Sequence, residues 1–290
     1  MVELVAGIID VFADEPLAGN PLAVVEGADD LTDEQMRRIA GEFNQAETTF
    51  IQSSTRADRK LRSFTASGAE VFGAGHNALG AWLWLGEHGD LGPLTTARSF
   101  RQEIGSDVLP IELVSIGGRV HGRMRQAPLR LSEPLKDVAA LARALGLDDV
   151  DLLPEPKPRP ADTGAAHLMV RIRDSQTVDK AAPDAAKLLA VLDETQAEGC
   201  YIYSFDSDVP ASAYCRFFNP TVGLWEDAAT GTAAGPLAAY LENQGMLAGD
   251  GLVVEQGTKM GRRSLIRLQL TPEPEISGAG IVLLRGSLRL

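Results

Sequence analysis

Short apolar runs broken by glycine and proline make up most of this chain. Residues 5–12 are a β-rich run, 16–21 (PLAGNP) a turn, and 22–26 a second apolar run, so the start reads as a hairpin-like pair. Thr32 with Gln35 three residues on forms a capping box. It opens a helix over 33–42 with Met36, Ile39, Ala40 and Phe43 on one face. Strands follow at 47–52 (ETTFIQ) and from 62 to 65, then two more around the Gly117-Gly118 turn signal within 107–126. Later come a helix within 132–147 closed by Gly146, a strand at 167–172, a helix at 184–192 and strands at 199–205 and 211–218. Strands at 252–256, 264–270 and 281–284 end the chain. PEPKPRP, residues 154–160, has four prolines in seven positions and reads as a surface connection, neither helix nor central strand.

Two segments break the alternation: GAGHNALGAWLWL (73–85) and TGTAAGPLAAYL (230–241). Each runs from a glycine turn through small residues into large apolar ones, the pattern of a buried helix whose first turn is open to close approach. With Gly75 set on Gly231 and no gaps, Glu70 meets Glu226, Ala78 meets Ala234, Trp84 meets Tyr240 and Gly89 meets Gly245. Such a match is what a duplicated unit gives, and also what two Ala/Gly-rich helices give by chance. Pro236 suits a helix from Gly231 only if the regular part begins near Gly235, with proline in its first turn. Many strands and one apolar helix per half predict an α+β chain of two curved sheets, each wrapped around its helix, meeting at a cleft. The boundary is set near residue 125, giving units 1–125 and 126–290, with the terminal strand free to return to the first.

The chain's 290 residues suffice for two such cores, and 44% hydrophobic with 23% charged residues is ordinary for a globular protein. The net charge of −13 and the absence of basic clusters interleaved with aromatics argue against nucleic acid and anionic lipid as partners. Two cysteines, Cys200 and Cys215, and four scattered histidines show no metal-ligand spacing, so no metal is expected. No apolar run is long enough to span a membrane, and Glu3 and Asp10 interrupt any signal-peptide pattern. A cytoplasmic protein is the expectation.

Backbone N–H groups at a helix N-terminus bind anions, so the turns at Gly75 and Gly231 are candidate holders of a small carboxylate or a developing enolate. Tight packing alone also explains such turns. Titratable groups stand beside them. Glu47 begins a strand next to Phe50, where an apolar setting raises a carboxylate's pKa and suits it to acid–base work; it reads equally as a solvated strand-start glutamate. His76 is a candidate on the first turn, or a capping or core histidine. Asp227 is a candidate before the second, or an acid complementing the helix dipole.

Five blocks carry a resemblance: DVFADEPLAGNPLAVV, TDEQMRRIAGEFNQAETTFI, FTASGAEVFGAGHNALGA, RFFNPTVGLWEDAATGTAAGPLAAYL and QGTKMGRRS. In order and spacing the chain resembles the phenazine-biosynthesis PhzF-like family over about residues 5–270. The resemblance implies the duplicated diaminopimelate epimerase-like fold, two similar domains each with a barrel-like sheet around a central helix and the active site between them. It also implies a homodimer and a reaction without organic cofactor or metal. Carried over, the family's catalytic glutamate falls on Glu47, its histidine on His76, its aspartate on Asp227 and its small hydroxyl residue on Thr232. Asn20-Pro21 matches its GNP turn, and Asn20, Gly75, Asn77, Gly231 and Thr232 are the candidate substrate-binding residues. The implied activity is an isomerisation in which a proton leaves one carbon of a small carboxylate-bearing substrate and returns at another.

The chain departs from the pattern at Ala228 and Arg263, where the family has proline, and at Thr232, where it has serine. The segment before the first turn is about one residue longer. Racemases of this fold use a cysteine at each turn; those places look like Ala74 or Gly73 and Ala229 or Thr230. The alternatives are therefore an epimerase or racemase without the thiol pair, and a non-catalytic dimer that binds a small acid.

Overall fold

A computed structural model of the chain describes residues 2–206, 212–222, 224–247, 249–271 and 274–290. It divides into two compact units, Met1–Arg125 with Ser277–Leu290, and Gln126–Ile276.

The first unit contains β1 (Glu3–Val11), β2 (Asn20–Glu26), α1 (Asp33–Phe43), β3 (Glu47–Gln52), β4 (Arg59–Thr65), β5 (Glu70–Val71), α2 (His76–Glu87), β6 (Arg98–Ile104), β7 (Asp107–Ile116) and β8 (Arg119–Arg125). The second contains β9 (Arg130–Leu131), α3 (Val138–Leu145), β10 (Arg159–Asp162), β11 (Ala166–Arg171), α4 (Ser175–Lys180), α5 (Ala185–Thr195), β12 (Gly199–Ser204), β13 (Ser212–Asn219), β14 (Leu224–Asp227), α6 (Gly231–Asn243), β15 (Gly251–Gln256) and β16 (Ser264–Gln269). The terminal strand β17 (Glu275–Arg289) enters the first unit, where it pairs with β1 and β8. That closes a barrel of eight strands in the order β1-β2-β3-β4-β6-β7-β8-β17.

α2 explains the barrel. His76 to Leu85 are all buried, so this helix has no polar face to give to water. Gly80 allows the closest approach: a Cβ there would come within 2.6 Å of Leu22 Cδ2 and Val11 Cγ2. α1 instead packs on the outer side of the same sheet, with Met36, Ile39 and Ala40 against Val25, Phe50 and Phe64. Its capping box is the one the sequence shows: Thr32 N–H donates to Gln35 Oε1 at 2.9 Å and Gln35 N–H to Thr32 Oγ1 at 3.2 Å.

The second unit repeats this plan. β2 runs parallel to β3, β3 antiparallel to β4 and β4 parallel to β6; likewise β11 with β12, β12 with β13 and β13 with β15. The registers agree residue by residue. Leu22 lies beside Glu47 as His167 beside Gly199, and Phe50 beside Arg62 as Ile202 beside Arg216. α6 is buried like α2, while α3, α4 and α5 cover the other face of the sheet through Leu141, Val178, Leu188 and Leu192. The duplicated fold expected from the resemblance is thus present.

Several elements differ from the expectation. β6, β10 and α4 are absent from it, and β17 is far longer than residues 281–284. Pro160 lies in β10, opposite Leu168, and its carbonyl accepts from Ser132 N–H at 3.1 Å. α6 is helical from Gly231, with Pro236 inside it, so the Thr232 carbonyl loses the donor four residues on. Residue 211, the expected start of β13, lies outside the described residues. Among the described residues no helix is long and apolar enough to cross a membrane.

The packing can be tested at Leu83 and at His167. Leu83 is fully buried on α2 beside Gly122 of β8 and Gly280 of β17. Leu83→Ala is expected to cost on the order of 2–5 kcal/mol in denaturant unfolding; a change within about 0.5 kcal/mol would show α2 to be peripheral. His167 is buried edge-to-face on Phe217 at 4.9 Å, and neither ring nitrogen meets a partner among the described residues. Burial, only partly opposed by the Asp162 charge, pushes its imidazole down to about 4. A histidine lowered by folding contributes stability that is complete above its unfolded pKa of about 6.5 and is lost as pH falls from there towards 4, at most about 3 kcal/mol. Replacing it by the residue at the matching place in the first unit, His167→Leu, should flatten the fall in urea midpoint between pH 7 and 4.5; parallel curves for the two proteins would rule this out.

Candidate active site

Glu47 is the first residue of β3, half-buried, with its side chain on the face that also carries Thr49. Thr49 identifies that face as the one turned to α2: its hydroxyl reaches the Asn77 carbonyl at 3.4 Å and bonds Ser63 Oγ at 2.9 Å. Glu47 therefore stands about 7 Å, two residues' rise, further along β3 from a group in contact with the first turn of α2. Asn20 opens β2 on the same side as Leu22, which flanks Glu47 and touches Gly80, and is itself buried.

The first glycine turn is locked from within. Asn77 Oδ1 accepts the Gly75 N–H at 2.8 Å, while Asn77 Nδ2 donates to the Gly73 carbonyl at 2.9 Å and to Ser63 Oγ at 3.1 Å. Asn77 thus holds the turn, and the Gly75 N–H expected to face an anion is used in that lock. The first intrahelical bond is Leu79 N–H to the Gly75 carbonyl at 3.1 Å, so the N–H groups of His76, Asn77 and Ala78 have no partner within the helix. His76 is buried at the helix start, and its Nε2 meets no partner among the described residues. A buried polar atom in that state costs about 1–3 kcal/mol, and a histidine so placed is a candidate for contact with a ligand.

The second turn reaches a comparable rigidity with other residues. Thr230 donates its hydroxyl to Asp227 Oδ2 at 2.6 Å. Gln256, fully buried at the end of β15, donates Nε2 to the Asp227 carbonyl at 2.8 Å and to Thr230 Oγ1 at 3.0 Å. Its Oε1 accepts from Thr230 N–H at 3.2 Å and from the Tyr201 hydroxyl at 2.8 Å. Asp227 is buried, and burial holds the Tyr201 phenol well above its ordinary range. Ala233 and Ala234 both donate to the Thr230 carbonyl, which leaves the N–H groups of Gly231 and Thr232 open at the helix start. Thr232 is half-buried there, at the place His76 holds on α2.

Sequence reasoning missed Ser63, Thr49, Tyr201 and Gln256, whose partners lie 14 to 55 positions away. The one available signal was Gln256 at the head of QGTKMGRRS. Arg263, in the place of the family's proline, pairs with Glu255 at 3.2 Å. Cys200 and Cys215 are buried in β12 and β13, neither of them on a glycine turn, and burial raises both thiols far above their ordinary range.

The residues at the Glu47 and Gly199 places differ in kind. Gly199 matches Glu47 in register, and a Cβ there would meet the Phe217 ring at 2.5 Å. A carboxylate stands at this place in the first unit only.

The family of phenazine biosynthesis-like proteins matches residues 9–286. The trans-2,3-dihydro-3-hydroxyanthranilate isomerase of Pseudomonas fluorescens is 33% identical, over 98% of each chain. The crystal structure of a PhzF-family phenazine biosynthesis protein of Bacillus anthracis superposes with a TM-score of 0.88 at 26% identity, over 100% of both chains. At 12% identity, the hydroxyproline epimerase of Agrobacterium vitis shares the fold, with a TM-score of 0.67 over 99% of this chain and 91% of that one. Relatedness of this extent to isomerases makes the chain an isomerase. Closed barrel, repeated half, locked glycine turns and sequence match together place it in the PhzF family of phenazine biosynthesis-like proteins.

Proposed function

We propose that the chain is a cofactor-independent isomerase that moves a proton between carbons of a small carboxylate-bearing substrate, with Glu47 as the proton carrier. The observation that supports it best is a carboxylate without a counterpart: Glu47 on the α2-facing side of β3, against Gly199 at the matching position of the second unit. Inverting a stereocentre takes a base on one face and an acid on the other. A proton that leaves and returns on one face needs only one group.

In this reading the Glu47 carboxylate takes a proton from one substrate carbon and becomes a carboxylic acid. The released electron pair spreads through the conjugated system. The same proton is then delivered to a second carbon and the carboxylate is regenerated, so no group is consumed. His76, through its buried Nε2, and the open N–H groups at the starts of α2 and α6 hold the negative charge that develops. Asp227, fixed by Thr230, assists, and Asn20 and Thr232 contact the substrate. Asn77 acts by holding the turn. The reading includes the cytoplasmic homodimer that the resemblance implies. Trans-2,3-dihydro-3-hydroxyanthranilate, the substrate in the name of the Pseudomonas fluorescens relative, is the first compound to try, followed by other small conjugated acids.

Glu47→Gln keeps the shape and most hydrogen-bonding capacity but cannot accept a proton. Binding by calorimetry is expected to survive, while deuterium incorporation from D₂O falls by at least roughly 10²–10⁴-fold. Exchange at the wild-type rate in Glu47→Gln would reject this role and pass it to Asp227.

A further inference from the structure

Both units carry the same arginine device on the outer face of the sheet. In the first, Arg62 of β4 holds Glu70 of β5 at both oxygens, Nε to Oε1 at 2.7 Å and Nη2 to Oε2 at 2.8 Å, with its guanidinium 5.1 Å from the Phe64 ring centre. In the second, Arg216 of β13 holds Glu226 of β14 in the same way, with both distances 2.8 Å and the Phe218 ring at 4.8 Å. The third nitrogen goes to a helix each time. Arg62 Nη1 reaches Asp33 at the start of α1, and Arg216 Nη1 reaches the Val178 and Ala181 carbonyls at the end of α4, at 2.9 and 2.8 Å.

The two devices differ in the residue that comes after the glutamate. Along a strand successive side chains point to opposite faces, so clamping one residue from outside aims the next one inward. After Glu70 that residue is Val71, which has nothing to titrate. After Glu226 it is Asp227, whose carboxylate takes the Thr230 hydroxyl. Arg216 is also the better enclosed, with 7% of its side chain exposed against 17% for Arg62, so it has less freedom to let the strand shift. We propose that Arg216 is a positioning residue that holds Asp227 in place through Glu226, while Arg62, of the same geometry, serves the fold alone. This rests on the reading that Asp227 takes part in the reaction.

Lysine at position 216 keeps the charge but cannot grip both carboxylate oxygens, so Arg216→Lys alters geometry and leaves the Coulomb field nearly as it was. The readout is the ¹³C carboxyl titration of Asp227 in the full chain, its signal identified by its loss in Asp227→Asn. If Asp227 moves away from the Thr230 hydroxyl, its charged form loses a hydrogen bond and its midpoint rises, by about one pH unit. Arg62→Lys should leave that midpoint in place. Phe218→Leu, which removes only the ring beneath the guanidinium, should move it in the same direction by less, and serves if Arg216→Lys does not fold. An unmoved Asp227 midpoint in folded Arg216→Lys or Phe218→Leu, or an equal shift in Arg62→Lys, overturns the proposal. The functional reading fails separately, by deuterium exchange at the wild-type rate in Asp227→Asn.

Discussion

A helix without a polar face has to be enclosed, and that constraint organises the first unit. Trp82, Leu83, Trp84 and Leu85 occupy four successive positions of α2, so no orientation leaves a wet side. A flat sheet covers one side of a helix; a closed barrel covers all of it, and β17 supplies the strand that completes the closure. Enclosure also decides where chemistry can occur. The body of α2 is given over to packing, and its carbonyl and amide groups bond one another. Its first turn alone keeps N–H groups without helical partners, and there the sequence places Gly75 and His76.

A buried turn with open N–H groups must not collapse, and the two units meet that requirement with unrelated residues. Asn77 lies within its own turn and bonds back to Gly73 and Gly75. Gln256 comes from β15 and bonds across to Asp227 and Thr230. The gap-free match puts Ala233 where the first unit has Asn77, so the second turn could not have used the first solution. The shared requirement is satisfaction of buried polar backbone, and any amide side chain that reaches supplies it.

Local signals were legible in the sequence and long-range ones were not. The capping box at Thr32 and Gln35 spans three residues, and the two glycine-to-apolar helices announce themselves by composition. β6 escaped because its inward positions are Phe100, Gln102 and Ile104. Gln102 is buried on a bond from Trp82 Nε1 at 3.0 Å, and a glutamine there breaks the apolar alternation that marks a strand. α4 is short and polar, held by Asp174 accepting from Thr177 N–H at 2.7 Å, and only Val178 and Thr177 turn inward. β10 was hidden by Pro160 and by the prolines that precede it. Of the candidate site, Glu47, His76 and Asp227 could be named because they stand beside glycine turns or strand starts. Ser63, Tyr201 and Gln256 could not, since their roles exist only once distant strands are paired.

Comparing matched positions shows where the duplicate halves have diverged. On the outer face the arginine, its aromatic platform and its glutamate are the same in both: Arg62, Phe64 and Glu70 against Arg216, Phe218 and Glu226. On the face turned to the central helix little is shared: Glu47 against Gly199, Leu22 against His167, Thr49 against Tyr201 and Val71 against Asp227; at the start of the helix itself His76 stands against Thr232. Packing against covering helices constrains the outer set, because an arginine with five donors needs all its acceptors at once. The inner set is under no such common demand. A duplicated scaffold can therefore keep one external device in both halves while the residues that face each central helix differ. The first half carries a carboxylate and an imidazole, Glu47 and His76, and the second a carboxylate and hydroxyls, Asp227, Thr230 and Thr232.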